Sequence, residues 1–385
     1  MKRHLAAAKQ QITIHQFHFS ATGSDAITNQ MFFLRDSLAR VGVGGDIFAH
    51  HIKGEVVGKI RPMASKEIWN CDLLLVHHSH GNPKLSSLLK VEAPKALVYH
   101  NITPAKFLRH DPTQAELCRL GRTQLTQMKP HLVGSFADSK YNSRELEELG
   151  YPVSPVLPLY DLAQWLKVNA AAKKIIPKDG PWDLLFVGRV THHKNQAALL
   201  KMFFYLKQFI HPESRLILVG GQDPVYGDYL KLLAESLGLQ SSLKFTGKVT
   251  DKVLRQYYQN AKAFVSLSQH EGYCIPLVEA MAAGTPVFAA ALTGDGETMG
   301  KAGVQICGTD PSEIAESIAT VLESSTSVEV ILRSQKQRLK EILEIQSRAR
   351  VQELILALVG DLRAGHPAGK KIGARNATKV SPRSP

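Results

Sequence analysis

The stretch "HEGYCIPLVEAMAAGTP" (270–286) decides how the chain is read. Before it stands "AFVSLS" (263–268), a continuous apolar run with the length of a buried strand. After it stands "TPVFAA" (285–290), another such run. Strand, short loop, helix-length segment, strand is the unit of a parallel sheet covered on both faces. Pro276 suits the first position of a helix, where its missing N–H would have had no partner anyway. Glu271 then falls in the loop at the strand's carboxyl end, and Glu279 about one turn into the helix.

The same unit recurs outward in both directions. In the second half, apolar runs at 182–189, 214–221, 243–249, 262–268, 285–291 and 303–307 read as strands separated by helical segments. In the first half, the runs are 11–17, 45–50, 71–79, 95–102, 132–138 and 153–159. "DAITNQMFFLRDSLARVG" between the first two carries helical spacing from Ile27 to Val41. "SKYNSRELEELG" opens on a Ser139 cap and closes on Gly150. The segment 161–181 has no strand content and clustered lysines, and reads as a linker.

The expected fold is therefore α/β, with two Rossmann-like domains facing each other across a cleft. Its divisions are 1–165, a linker at 166–181, 182–345, a helix at 346–363 returning to the first domain, and a disordered basic tail at 364–385.

Composition narrows the functional classes. The 385 residues carry a formal net charge of +13, yet part of the excess lies in the Pro/Gly/Ser/Lys/Arg tail and the rest is dispersed. No basic patch is interleaved with aromatic residues, so contact with an anionic membrane surface is expected in preference to nucleic acid. No secretory leader or spanning apolar run is recognised, which places the chain in the cytoplasm or at the inner face of a membrane. The four cysteines have no metal-ligand or C-x-x-C spacing, which fits a reducing compartment. Asp-x-Asp occurs nowhere, and no metal or other cofactor is expected.

In open parallel sheets the informative residues follow the apolar runs. After "LLFVG" come Arg189 and then Lys194, read as opening the next helix. They read either as solvated charges on an edge loop or as a site for a doubly charged group, assisted by backbone N–H donors. Around Glu271, "GYCI" offers backbone N–H groups, and Gly272 permits close approach of a ligand. Carboxylates accept hydrogen bonds from hydroxyls. Phosphate held by N–H groups and hydroxyls held by acids describe a nucleotide sugar. Taken singly, Glu279 is equally an acid favourably placed near a helix start, and Glu271 an ordinary loop acid. "GDGETMGKAG" (294–303) and "GVGGDI" (42–47) fail the spacing of phosphate-binding loops and read as turns. His77, His78 and His80 read as residues lining an acceptor surface, since alternate strand positions point different ways.

Glu271 and Glu279, set in "EGYCIPLVEAMAAGTPV", together with "FVGRVTHHKN" (186–195), resemble retaining glycosyltransferases of family 4, which have the GT-B fold. "VYHNITP" (98–104) and "SDAITNQ" (24–30) resemble bacterial members that build lipopolysaccharide or exopolysaccharide. The resemblance implies transfer of a hexose from a nucleotide sugar to a glycan or lipid-linked acceptor. It implies that Gly188, Arg189 and Lys194 meet the donor diphosphate in place of a metal, and that Glu279 meets the ribose. Glu271, with Gly272, Tyr273, Cys274 and Ile275, would hold the hexose, and Lys248 and Val249 would border the base. Gly23 and Ser24 would approach the phosphates. His100, Asn101 and His78 would lie on the acceptor side, with His100 at the reacting centre. The segment at Gly296-Glu297-Thr298 departs from the usual Pro-Glu-Thr. A sugar-nucleotide epimerase and a non-catalytic nucleotide-sugar or polyanion-binding protein are the alternatives on the same fold.

Overall fold

The structure, a computed structural model, describes residues 11–23, 25–170 and 180–364. Ser24, part of the linker and nearly all of the basic tail lie outside these residues. In chain order the elements of the first half are β1 (Ile14–Thr22), α1 (Ala26–Ala39), β2 (Ile47–Lys53), β3 (Arg61–Pro62), β4 (Leu73–His78), α2 (Leu85–Leu89), β5 (Lys95–Tyr99), α3 (Pro112–Met128), β6 (Gly134–Ala137) and α4 (Lys140–Glu148). Then come α5 (Leu162–Ala170), β7 (Asp183–Val187), α6 (Gln196–Tyr205), β8 (Arg215–Val219), α7 (Pro224–Ser236), β9 (Leu243–Gly247), α8 (Asp251–Asn260) and β10 (Ala263–Ser266). The chain continues with α9 (Ile275–Ala282), β11 (Val287–Ala289), α10 (Gly294–Met299), β12 (Val304–Gln305), α11 (Pro311–Glu323), α12 (Ser325–Ile345) and α13 (Arg348–Arg363).

Two compact units result. Among the described residues, the first takes 11–102, Glu116–Asp161 and 345–364, and the second takes Thr103–Ala115 and the rest of Leu162–Glu344. Each holds one six-stranded sheet with parallel pairing throughout. The strand orders are β3-β2-β1-β4-β5-β6 and β12-β11-β10-β7-β8-β9. A parallel sheet buries both faces, which is why β4 and β5 are continuous buried runs instead of alternating ones.

The first unit's core joins Leu73, Leu75, Val98 and Phe136 of the sheet to Leu34 of α1 and to Val351, Ile355 and Leu358 of α13. Burying each such side chain is worth about 2 kcal/mol against leaving it in water. Polar contacts fix the register of α13: Gln352 Nε2 donates to Ser37 O at 2.7 Å, and Arg348 Nε to Asp161 Oδ2 at 2.8 Å. The second unit's core packs Phe186, Leu218 and Val265 against Leu200 and Phe203 of α6 and against Ile318 of α11.

Several elements differ from the sequence-based expectation. The segment 153–159 forms only an isolated bridge between Ala137 and Val156, because Pro155 and Pro158 have no N–H to donate to a ladder. β3 is two residues long and contains Pro62, too short for any periodicity to announce it. "GDGETM" is the helix α10 and not a turn, whereas Gly42 (φ 78°) does supply a left-handed turn. Residues 162–170, read as the end of a domain and the start of a linker, form α5 of the second unit.

Candidate active site

The order of the second sheet places β7 next to β10, where the connections diverge to opposite sides. Loops leaving the carboxyl ends of two such strands are where open α/β sheets bind ligands. The loop after β7 carries Lys194 in a single 3₁₀ turn (His192–Lys194), two residues before α6 instead of inside it. The loop after β10 carries Glu271. The two meet: Lys194 Nζ lies 2.6 Å from Glu271 Oε2. Burial alone would push the Lys194 ammonium down. The carboxylate of Glu271, with Cys274 and Asp295 behind it, outweighs burial and holds it above the usual lysine range.

Both loops carry a non-glycine residue in left-handed backbone, Asn195 (φ 57°) after Lys194 and Cys274 (φ 69°) before α9. Each such residue costs about 1–2 kcal/mol, so the surrounding contacts must hold them there. One contact joins the loops directly, Gln269 N–H donating to His193 O at 2.8 Å. His193 is pushed down to about 2 by burial and by the neighbouring Lys194, so it stays neutral. The Cys274 thiol, buried beside Glu271, is held well above its usual range.

Three further residues complete this centre: Thr293 and Asp295, which the sequence reading gave no role, and Thr298, which it named only within the departing Gly-Glu-Thr segment. Thr293 Oγ1 accepts from Glu271 N–H at 2.8 Å and donates to Glu271 O at 3.0 Å. Asp295 Oδ1 accepts from Thr293 N–H at 2.9 Å, while its buried Oδ2 has no hydrogen-bond partner. Thr298 Oγ1 donates to Tyr273 O and to Gly294 O. Gly294 is required here, since a Cβ would stand 2.1 Å from Gly272 O. A Thr-x-Asp just beyond β11 was a usable signal, because it too follows a strand's carboxyl end.

Glu279 projects from α9, whose helix begins at Ile275 with Pro276 one position further in. Its Oε2 accepts from Tyr258 OH at 2.8 Å, and Trp165 of α5 also donates to the carboxyl. Burial pushes Glu279 up to about 7. Gly188, Gly220 and Gly247 line the carboxyl edge of β7, β8 and β9. Gly188 N–H donates to Val219 O and Gly220 N–H to Gly247 O, and a Cβ on Gly220 would stand 2.0 Å from Gly188 O. Arg189 and Lys248 follow two of these glycines with exposed side chains, and Val249 is half-buried. The structure thus brings Gly188, Arg189, Lys194, Glu271, Gly272, Tyr273, Cys274 and Ile275 to adjoining loops of one sheet edge. Lys248 and Val249 stand beyond β9, and Glu279 stands behind the loop.

The remaining candidates belong to the first unit. His100 is buried, with Nδ1 2.7 Å from Asp138 Oδ2 and Nε2 2.8 Å from His77 Nδ1; His77 Nε2 lies 3.1 Å from Gln16 Oε1. Both ring nitrogens of the expected reacting-centre histidine are therefore engaged within the unit. His78, expected on an acceptor surface, is buried and directs Nε2 to Gly121 O at 2.9 Å. Burial pushes His78 down to about 4. Asn101 is turned toward Asn142 and Glu145, where Tyr99 OH and Arg122 also bind. Gly23 has the Glu55 side chain directly over it, an acid where a phosphate was expected. Among the described residues, no group of three or more His, Cys, Asp or Glu is placed to hold a metal ion, and no helix is long and apolar enough to cross a membrane.

Two parallel α/β sheets with these edges define a GT-B fold, two Rossmann-like domains in one chain. Comparison with known proteins agrees. Residues 168–341 match the family of glycosyl transferases group 1. Over 112 residues the chain is 34% identical to the alpha-monoglucosyldiacylglycerol synthase of Streptococcus pneumoniae, covering 29% of this chain and 25% of that protein. It is 29% identical over 143 residues to the O-antigen chain mannosyltransferase B of Escherichia coli, 36% of each chain. The chain therefore spans only about a quarter to a third of these relatives. Anabaena HepE in complex with UDP-glucose superimposes with a TM-score of 0.67 at 15% identity, over 92% of this chain and 100% of that one.

Proposed function

We propose that the chain is a retaining glycosyltransferase of family 4. It moves a hexose from a nucleoside diphosphate sugar to a glycan or lipid-linked acceptor, working in the cytoplasm on cell-surface polysaccharide. The observation that carries the proposal is the 2.6 Å contact between Lys194 and Glu271 at the β7/β10 edge. It sets a cation suited to a diphosphate directly against a carboxylate suited to sugar hydroxyls. Glycosyl transfer breaks the bond between the anomeric carbon and the diphosphate oxygen, and negative charge develops on the departing group. Lys194 and Arg189, fixed charges needing no metal, would stabilise that charge; donors already in place are effective because they need not reorganise. Glu271 and the backbone of 272–275 would orient the hexose. Glu279, bonded by Tyr258 and Trp165, would turn its other lone pairs to the ribose. The names of the relatives favour a glycan or glycolipid product, and the O-antigen mannosyltransferase favours mannose as the transferred hexose.

Thermal unfolding of the chain with a panel of nucleoside diphosphates and their sugars tests the donor. A ligand at a hundred times its Kd raises stability by about 2.7 kcal/mol. Incubating the stabilising sugar nucleotide with glycan and lipid acceptors then gives a glycoside whose anomeric configuration matches the donor. Release of an epimerised nucleotide sugar without acceptor, or no response to any nucleotide, rejects the proposal.

A further inference from the structure

The loop that presents Glu271 is held by α10, and α10 is in turn held from its far end. Arg338, on α12, donates from Nη2 to Glu297 O at 2.7 Å and from Nε to Thr298 O at 3.1 Å. Those carbonyls belong to the last turn of α10, where a helix leaves its acceptors unpaired. The third arm of the guanidinium, Nη1, donates to Glu341 Oε2 at 2.7 Å and fixes the fork's plane. α12 is itself registered on the sheet: buried Gln335 donates to Thr285 O at 2.9 Å and accepts from Val287 N–H at 3.2 Å. A continuous series of contacts therefore runs from β11 through Gln335 and Arg338 to the end of α10. From there Thr298 reaches Tyr273, and at the start of α10 Thr293 reaches Glu271.

We infer that Arg338 is a positioning residue for the donor loop 271–273, acting through α10 without touching substrate. α10 spans only six residues, too few to hold its own shape in water. Its position has to come from its ends. A lysine cannot replace the arginine, because one ammonium on a flexible stem does not present three planar donors to two carbonyls and a carboxylate. With the far end released, Thr293 and Thr298 no longer meet fixed partners, and the backbone of Glu271 and Tyr273 gains freedom. This inference rests on the transferase reading for its kinetic consequence, but the coupling itself can be read without turnover.

The test is amide hydrogen exchange on the full chain, comparing wild type with Arg338→Ala and Arg338→Lys. The amides of Glu271 and Gly294, bonded to Thr293 Oγ1 and Glu271 O, should exchange at least tenfold faster in Arg338→Ala. Phe264 and Leu185, inside the sheet, should be unchanged. Arg338→Lys should fall between. Thr298→Val, which leaves Arg338 its carbonyls but cuts the link to Tyr273, should give the same local acceleration. In transfer assays the donor KM should rise about tenfold in Arg338→Ala, with a smaller change in acceptor KM. Unchanged exchange at Glu271 and Gly294 in both Arg338→Ala and Thr298→Val overturns the inference. Local acceleration in a chain that transfers no sugar upholds the strap and removes the transferase reading instead.

Discussion

Lys194 and Glu271 are 77 positions apart in the chain, and their side chains close to 2.6 Å because β7 and β10 are neighbours in the sheet. Two consequences follow from how deeply the pair is set, with 18% of the lysine side chain and 9% of the glutamate side chain exposed. Removing one partner strands the other's charge, and removing both relieves that penalty.

Lys194→Ala should lower stability by about 3 kcal/mol or more, since breaking a buried pair costs more than the pair contributes. The double variant Lys194→Met with Glu271→Gln should recover most of that loss. Sugar transfer should fall about a hundredfold or more in both. Denaturant unfolding and a donor-turnover assay check this; a stable single variant with wild-type turnover would show that the pair is a surface ornament.

Glu279 sets a pH dependence of known sign. Its carboxyl titrates at about 7 when folded, against an ordinary value of 4.5, so the native state binds its proton more tightly than the unfolded chain. The contribution is fully present below pH 4.5 and is lost as pH rises through 7, amounting to roughly 3 kcal/mol. Glu279→Gln, measured by unfolding from pH 5 to 9, should be flatter than wild type and more stable at the alkaline end. An identical slope in both proteins would contradict this assignment.

Among the four free cysteines only Cys307 is exposed. Cys71 is pushed up to about 11 by burial, Cys118 is raised by burial, and Cys274 is raised well above its usual range. Because the thiolate is the reactive species, iodoacetamide at pH 8 should label Cys307 quickly and the other three only on unfolding. Rapid native labelling of Cys274, followed by peptide mass spectrometry, would mean that the donor loop opens far more readily than its contacts allow.

Asp138 anchors the buried series through His100, His77 and Gln16, and also accepts from Gln30 Nε2 at 3.3 Å. Asp138→Asn should cost about 1–3 kcal/mol, because it mismatches partners that cannot turn to water. Thermal unfolding measures it. A variant as stable as wild type would show that His100 does not depend on this carboxylate.

The sequence by itself determined the strands, because both-face burial writes them as unbroken apolar runs: β4, β5, β7, β8 and β10 lie inside the runs seen at 71–79, 95–102, 182–189, 214–221 and 262–268. Local chemistry likewise determined α4, where Ser139 accepts from Asn142 N–H and Gly150 takes φ 75°. It also determined which residues stand just past strand ends, and so nominated Arg189, Lys194 and Glu271, with Glu279 about one turn into the helix that follows. Only the tertiary structure decided which of these meet. Spacing along a chain does not specify strand order, and the adjacency of β7 and β10 alone closes the Lys194–Glu271 contact. It also decided that His78, His100 and Asn101 turn inward, since a strand end's polar side chain has equal local freedom to face water or a buried partner. Thr293, Thr298, Trp165 and Arg338 take their roles from hydrogen bonds to backbone or carboxyl groups 22 to 114 positions away, partners that spacing along the chain does not specify.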